Sequence, residues 1–228
     1  MHRSILWGIL SIALIAAGAR NTEAKIEPAR PDLKTPKIPL DHYSGLEVSI
    51  GQPYAPLTIV MYYSLSCGHC HDFQEKVLPE IKTEFIDKGL VRFVYRDFPT
   101  DHFAVKAAKV AWCMGKDHYL TVAKKLLATQ DDWAPTPDDK GAIDENKLKQ
   151  AENALLSIAK EMAITDKDYR KCLVNQNVED TITRTSFEAQ KTYHFEGAPG
   201  FLVNGKKFDA DMNVEAIRGL LLKMGIHG

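Results

Sequence analysis

Two of the four cysteines, Cys67 and Cys70, stand three apart where one hydrophobic pattern gives way to another, and this junction limits the folds open to the chain. Before it, Leu57 to Tyr63 is an unbroken run of apolar, β-branched and aromatic residues, the composition of a strand buried on both faces. After it, Cys70, Phe73, Val77, Ile81 and Phe85 recur every three or four residues, an apolar stripe along a helix. The spacing predicts a helix from Cys67 to about Asp87, kinked at Pro79. Cys67 then falls in the first turn, where unpaired backbone N–H groups and the positive end of the helix dipole favour a thiolate over a thiol. Cys67 is therefore expected to be the low-pKa, attacking cysteine, and Cys70, one turn further on, its buried resolving partner.

Three other chemistries compete for these residues. Cys67-Gly68-His69-Cys70-His71 also fits covalent haem attachment, with two thioethers and His71 as axial ligand. That reading requires a small helical domain around a haem, whereas this motif lies between a strand and a long helix. A zinc site needs two further ligands, and Cys113 and Cys172 are distant and not paired as C-x-x-C, so no metal is expected. Two unrelated core cysteines is the third reading, but this spacing at a helix start seldom arises for packing alone.

A chain of 228 residues, 45% apolar and 26% charged, can bury one full domain, or one domain with an insertion. The formal net charge of −1 gives no reason to expect nucleic acid or an anionic membrane as partner. Residues 1–24 read as an export signal: Met1-His2-Arg3 is a short positive start, Ile5 to Ala17 is hydrophobic, and Ala17-Gly18-Ala19 is a small-x-small cleavage site. Cleavage is expected after residue 19 or after Ala24. The apolar run is shorter than the roughly 20 residues that cross a bilayer, and no cysteine follows it to carry a lipid. A periplasmic or secreted protein is expected, with its thiols in an oxidising compartment.

Residues 25–42, with Pro28, Pro31, Pro36 and Pro39, read as an extended leader. Val48 to Ile50 makes a short first strand, and Val91 to Asp97 another, with Val91, Phe93 and Tyr95 on one face and Arg92, Val94 and Arg96 on the other. Strand, helix and strand in that order imply a parallel pair. Residues 102–191 are helical in pattern: Phe103, Ala107, Val110 and Met114, then Tyr119, Val122 and Leu126, mark two amphipathic segments. Asp131 to Gly141 is expected as a loop carrying Trp133. Leu148, Ala151, Leu155, Ala159 and Met162 stripe a further helix, and Thr165-x-x-Asp168 is a capping box. Phe201 to Phe208 reads as a hairpin turning at Asn204-Gly205, and Val214, Ile217, Leu221 and Met224 mark a closing helix. The expected class is α/β, with 43–101 and 192–228 forming the sheet domain around a helical insertion. No Gly-rich phosphate loop occurs and no cofactor is expected.

From about Tyr43 to Met224 the chain resembles the DsbA-type thiol oxidoreductases. The resemblance rests on Tyr62-Tyr63-Ser64 before Cys67-x-His69-Cys70, on the run from Val77-Leu78-Pro79 through Arg96-Asp97-Phe98-Pro99, and on Gly197-Ala198-Pro199 before the hairpin. It implies a thioredoxin fold with an inserted all-helical domain, and a cis bond before Pro199 that sets the Ala198 backbone beside the Cys67 sulfur. It also implies that His69 stabilises the Cys67 thiolate and makes the disulfide more oxidising. The implied activity introduces disulfides into reduced or unfolded exported proteins, with reoxidation by a membrane quinone-linked partner; a monomer is expected. An isomerase or reductase of the same fold is the alternative, and a chaperone without redox chemistry is compatible with it too. Isomerases of this family carry an added N-terminal dimerisation domain, for which the leader leaves no room.

Three positions depart from the family pattern. Gly68 stands where proline is usual, as in eukaryotic disulfide isomerases, so a less oxidising pair is expected. Met61 stands where thioredoxin-fold enzymes often carry a buried acid that accepts the resolving thiol's proton. Ala198 and Gly200 flank Pro199 with small residues. In an oxidising compartment Cys113 and Cys172 are expected to form a second, structural disulfide across the insertion, the other states being two free buried thiols or a bond coupled to the active site. His71 is read as a surface residue, and His42, His102, His118, His194, His227, Trp112 and Trp133 as surface or packing residues.

Overall fold

The computed structural model describes residues 46–136 and 142–226. The expected signal peptide and leader, His42, His227 and the end of the Asp/Pro-rich loop lie outside the described residues. Five strands form one sheet: β1 (Val48–Ile50), β2 (Leu57–Tyr63), β3 (Val91–Asp97), β4 (Gly200–Val203) and β5 (Lys206–Phe208), in spatial order β1-β3-β2-β4-β5. β2 and β3 run parallel, from Leu57 opposite Val91 to Tyr63 opposite Asp97. The other pairings are antiparallel. Every residue of β2 is buried, as its unbroken apolar run requires of a strand covered on both faces.

One face of β2, with Leu57, Ile59, Met61 and Tyr63, packs on Cys70, Phe73 and Ile81 in the main core. The other face gathers Val60, Tyr62, Val94, Phe98, Ala189, Phe195 and Leu202 into a second cluster. Alternation in β3 therefore does not separate core from solvent. Arg96 is only 2% exposed and Asp97 5%. Arg96 is tolerated there because its guanidinium donates to Glu47 Oε2 at 2.9 Å and to Tyr62 Oη at 2.8 Å, so the buried charge is both paired and hydrogen-bonded.

The helix after the cysteine motif is not kinked at one proline. It is built of α1 (Gly68–Asp72), a π-helical turn at Phe73–Val77, α2 (Leu78–Ile81) and a second π-helical turn at Lys82–Ile86. The N–H of Leu78 reaches back five residues to Phe73 O, and that of Asp87 to Lys82 O. Each wide turn inserts one residue into the stripe. Burial consequently steps from Phe73 to Leu78, leaving Val77, expected in the core, only half-buried, and after Ile81 it takes in Ile86 as well as the expected Phe85. Pro79 lies just past the first wide turn, where the i−4 ladder its ring would clash with is already broken.

The insertion begins with α3 (His102–Ala111), capped by the Asp101 carboxylate on the Ala104 N–H, and a 3₁₀ turn at Trp112–Met114. Next come α4 (Lys116–Ala128), α5 (Gln130–Trp133), α6 (Glu145–Glu161), α7 (Asp166–Leu173) and α8 (Gln176–Tyr193). Thr165 Oγ1 accepts the Asp168 N–H, which opens α7 as the capping pattern predicts. The expected loop from Asp131 instead starts as a helical turn. Trp133 is fully buried and donates its indole N–H to Leu126 O at 2.8 Å, so a large apolar side chain with a satisfied donor draws this stretch into the core.

The boundary drawn at residue 191 falls inside α8. This helix continues to Tyr193 and lays Ala189 and Tyr193 on the second sheet face, so the last helix of the insertion also roofs the sheet. The hairpin turns with both Asn204 (φ 47°) and Gly205 (φ 81°) in the left-handed region, the geometry of a two-residue type I′ turn. α9 (Val214–Lys223) closes the fold with Val214, Ile217 and Leu221 inward. Among the described residues no helix is long and apolar enough to cross a membrane.

Candidate active site

Cys67 is the N-cap of α1, with extended backbone, rather than a residue of its first turn. Its carbonyl accepts the N–H groups of Cys70 and His71, both at 3.0 Å, and its own N–H donates to Ser64 O at 3.2 Å. The sulfur of a side chain at this position faces the free N–H groups of the opening turn. Cys67 is half-buried and Cys70 fully buried, and both thiols are free.

The two sulfurs shift in opposite directions. A hydrogen bond from the Cys70 thiol lowers the Cys67 pKa to about 6; partial burial opposes this, and the backbone N–H groups of Cys70 and His69 and the His69 charge assist it. Burial, and then the hydrogen bond and charge of Cys67, push the Cys70 thiol far above the ordinary thiol range. These directions favour a thiolate at the half-buried Cys67 and a thiol at the buried Cys70 at neutral pH.

The Ala198–Pro199 peptide is cis, and the Ala198 carbonyl oxygen lies 3.1 Å from Cys67 Sγ, accepting its proton when Cys67 is in the thiol form. Pro199 joins His69, Phe73, Phe195, Phe201 and Phe208 along a groove of about 800 Å³ beside the sulfur. On the opposite side a polar cleft of about 430 Å³ runs between Gly68, His69 and His71 and the end of α4 with Gln130 and Asp131. Gly68 is exposed, and a Cβ added to it would meet nothing within 4 Å.

Several residues that the sequence reading did not single out hold this site. Gln130 Nε2 donates to Leu65 O at 2.5 Å and to Cys67 O at 3.1 Å, tying the insertion to the cysteine loop. Ser64, Ser66 and Thr100 exchange hydroxyl hydrogen bonds, and Ser66 Oγ donates to the Asp101 carboxylate. Asp97 is buried beneath them. It accepts from Tyr119 Oη at 2.6 Å and from Trp112 Nε1 at 2.7 Å, and Tyr119 Oη is in turn hydrogen-bonded to Tyr63 Oη. Burial raises the Asp97 pKa to about 6 against the lowering effect of the Tyr119 and Trp112 hydrogen bonds. An acid at the end of the strand-like run Val91 to Asp97, on the same alternate face as Val91, Phe93 and Tyr95, was the signal available in the sequence. Trp112 is thus a ligand to a carboxylate as well as a packing residue.

Cys113 and Cys172 are joined by a disulfide across 59 residues, linking the 3₁₀ turn after α3 to α7. The two thiols that a zinc site would have to borrow are consequently bonded to each other, and among the described residues no group of three or more His, Cys, Asp or Glu side chains is arranged to hold a metal. Haem attachment fails on space. Cys70 is 0% exposed in the main core, so a porphyrin joined to its sulfur would have to displace Phe73 and the strand beneath. His71 projects instead toward the polar cleft, 3.8 Å from Asp72.

Residues 44–223 match a family model described as thioredoxin. A putative protein-disulfide oxidoreductase of Rickettsia bellii is 26% identical over 177 residues, 77% of this chain and 63% of that protein, so the chain spans less than two thirds of that relative's length. A probable disulfide bond formation protein D of Bacillus cereus is 25% identical over 175 residues, covering 72% of this chain and 73% of the relative. Among solved structures, Wolbachia pipientis alpha-DsbA1 superposes with a TM-score of 0.65 at 23% identity over 78% of this chain and 90% of that one, a likeness of fold. With the match running from β1 to the end of α9, through the cysteine motif and the helices inserted after β3, the chain belongs to the thioredoxin family, and its fold, with a helical domain inserted, is like that of the Wolbachia DsbA.

Proposed function

We propose that this protein is a dithiol oxidase that introduces disulfides into exported proteins through Cys67 and Cys70, with Ala198 and Pro199 in the substrate-binding wall. The observation that carries the reading is the split between the two sulfurs: a half-buried Cys67 with a pKa of about 6 at a groove, and a buried Cys70 held as a thiol. In the oxidised protein a substrate thiolate attacks Cys67 Sγ, the bond to Cys70 breaks, and a mixed disulfide forms. A second substrate thiolate then attacks the substrate sulfur of that bond, and Cys67 leaves as the thiolate its surroundings stabilise. The substrate gains one disulfide and the protein keeps two reduced sulfurs.

A thiolate favoured over the thiol by about tenfold at neutral pH stabilises the reduced protein, and each tenfold raises the potential of a two-electron couple by about 30 mV. That direction favours donating a disulfide over reducing one. The groove sets Pro199 and Phe208 among charged residues, Lys76, Glu196, Lys207 and Asp211, and this mixed wall suits unfolded chains with no fixed sequence. The names borne by the Rickettsia and Bacillus relatives agree with exchange chemistry. The expected setting is the periplasm or exterior, with a membrane quinone-linked partner restoring the disulfide.

The test is the reduction potential of the Cys67–Cys70 pair against glutathione, alongside oxidative refolding of a reduced, unfolded protein. A potential near or above the roughly −180 mV of a disulfide isomerase, with refolding lost in Cys67→Ser, is the expected result. A potential near the roughly −270 mV of thioredoxin sinks the oxidase reading in favour of a reductase. Faster rescue of a scrambled substrate than oxidation of a reduced one favours the isomerase.

A further inference from the structure

The groove beside Cys67 carries more charge than disulfide exchange requires. Its walls hold four carboxylates, Asp72, Glu196, Asp209 and Asp211, and two ammonium groups, Lys76 and Lys207, a net of −2 with the histidines counted as neutral. The whole chain has a formal net charge of only −1, so this excess is local and not a share of a general field. What an incoming chain meets depends on which of these charges are already paired.

Both cations are paired inside the groove. Lys76 Nζ lies 2.8 Å from Asp72 Oδ1, one turn back on the active-site helix, so that wall is neutral. Lys207 Nζ lies 3.1 Å from Asp209 Oδ1, donates to His194 O at 3.4 Å and stands 5.7 Å from the centre of the Phe195 ring. Two carboxylates remain, Glu196 in the Pro199 loop and Asp211 after β5. Both are exposed, and neither has a hydrogen-bond or ion-pair partner among the described residues.

The backbone that carries these two acids is pinned. Phe195 is buried in the second sheet cluster with its ring 5.2 Å from that of Tyr62, and a Cβ added to Gly200 would sit 2.8 Å from the Phe195 ring. Phe195 and Gly200 therefore fix both ends of the loop that holds Glu196 and the cis bond before Pro199. Asp211 precedes Met212, which is buried in the main core. Glu196 stands two residues before Ala198, whose carbonyl oxygen is 3.1 Å from Cys67 Sγ. Two residues of chain span at most about 7 Å, so a substrate sulfur at Cys67 brings its neighbouring residues to within a short, incompletely screened distance of this loop.

We infer that the groove selects, among reduced chains, cysteines flanked by lysine or arginine, with Glu196 and Asp211 as the residues that set this preference, which rests on the exchange chemistry proposed above. The preference is for charge and not for sequence. Pro199 and Phe208 offer contact to any chain, whereas the two unpaired carboxylates attract a cationic neighbour of the substrate cysteine and repel an anionic one. An exposed pair of opposite charges is worth a factor of about 1.5 to 5, and a like pair opposes approach by a similar factor. Two such carboxylates therefore separate an arginine-flanked from a glutamate-flanked cysteine by about tenfold at low salt.

The test uses three end-blocked peptides with one cysteine each, alike except for arginine, glutamine or glutamate two positions after it. Reduction of the oxidised protein by each is followed at low salt by acid quench and mass spectrometry, and the rate constant is expressed per peptide thiolate. The arginine-to-glutamate ratio is expected to be about tenfold in the wild type, about threefold in Glu196→Gln and near one in Glu196→Gln/Asp211→Asn, and to shrink in about 0.5 M salt. Comparing the same ratio between variants cancels the intrinsic reactivity of the peptides and any general change in rate. Both positions are exposed and both changes keep the side-chain shape, so folding is not at stake. Glu145→Gln, an equal change of charge on α6 outside the groove, should leave the ratio as it is. A wild-type ratio near one or below, a ratio that survives in the double variant, or an equal drop in Glu145→Gln overturns the charge preference. A ratio near one in a protein with the potential of an oxidase leaves the oxidase reading standing. A tenfold ratio in a protein with a potential near that of thioredoxin keeps the preference and overturns the oxidase.

Discussion

At Cys67 several small effects act on one sulfur, and their ranking is testable. The Cys70 thiol is the largest cause of the lowered pKa and the His69 charge the smallest of those acting in that direction. Cys70→Ala should therefore raise the thiolate pKa more than His69→Ala does, the latter by under about one unit for a group exposed to solvent. Thiolate absorbance in the ultraviolet, titrated in both variants, decides this; a larger shift in His69→Ala would reverse the order. Gly68 offers a second residue-scale test. It is the first residue of α1, where proline is well tolerated, the preceding Cys67 is already extended, and no atom lies near its missing Cβ. Gly68→Pro should raise stability by about 0.4 to 1 kcal/mol through the unfolded chain, read as a shift in denaturant midpoint at constant m.

Between elements, the contacts that matter most are those that join the helical insertion to the sheet. The Gln130 amide serves two carbonyls of the cysteine loop, and Cys67 O retains two other donors whereas Leu65 O is buried beside it. Gln130→Ala is expected to cost about 1 to 3 kcal/mol and to loosen the loop, measured by chemical denaturation and by faster hydrogen exchange at the Cys67 to His71 amides. The Cys113–Cys172 bond closes a longer loop, and reducing it by paired Cys→Ser changes should cost about 2 to 4 kcal/mol while leaving the Cys67 thiolate pKa in place. The elements themselves were legible because their signals are local: the apolar run of β2, the spacing of Cys67 and Cys70, Asn204-Gly205 at the hairpin, Thr165 before α7. What escaped was set at a distance. Gln130 meets Cys67 across 63 positions, and no periodicity marks it. Trp133 sits in a stretch of aspartates and prolines that reads as loop until its indole finds Leu126. The π-helical turns move the stripe from Val77 to Leu78 by one residue, a slip that a fixed 3.6 period cannot express.

Across the whole molecule, two titrations near pH 6 act on stability with opposite sign. Asp97 has its pKa raised by folding, so its contribution is complete below the unfolded value of roughly 4 and is lost as pH climbs through about 6, whatever the state of the cysteines. Cys67 in the reduced protein has its pKa lowered by folding. Its contribution is complete above the unfolded thiol value of roughly 8.5 and is lost as pH falls through about 6. In the disulfide form Cys67 does not titrate. The stability of the reduced protein relative to the oxidised one is therefore expected to rise by up to about 1.4 kcal/mol per pH unit between about 6 and 8.5, and to be flat between about 4 and 5.5. Asp97→Asn should remove the loss between about 4 and 6 from both forms and leave that difference between forms in place. Denaturant unfolding of the two redox states at a series of pH values measures both slopes at once. A reduced form that gains nothing above pH 6 would mean that Cys67 is an ordinary thiol, and the asymmetry between the two sulfurs would then have to come from the burial of Cys70 alone.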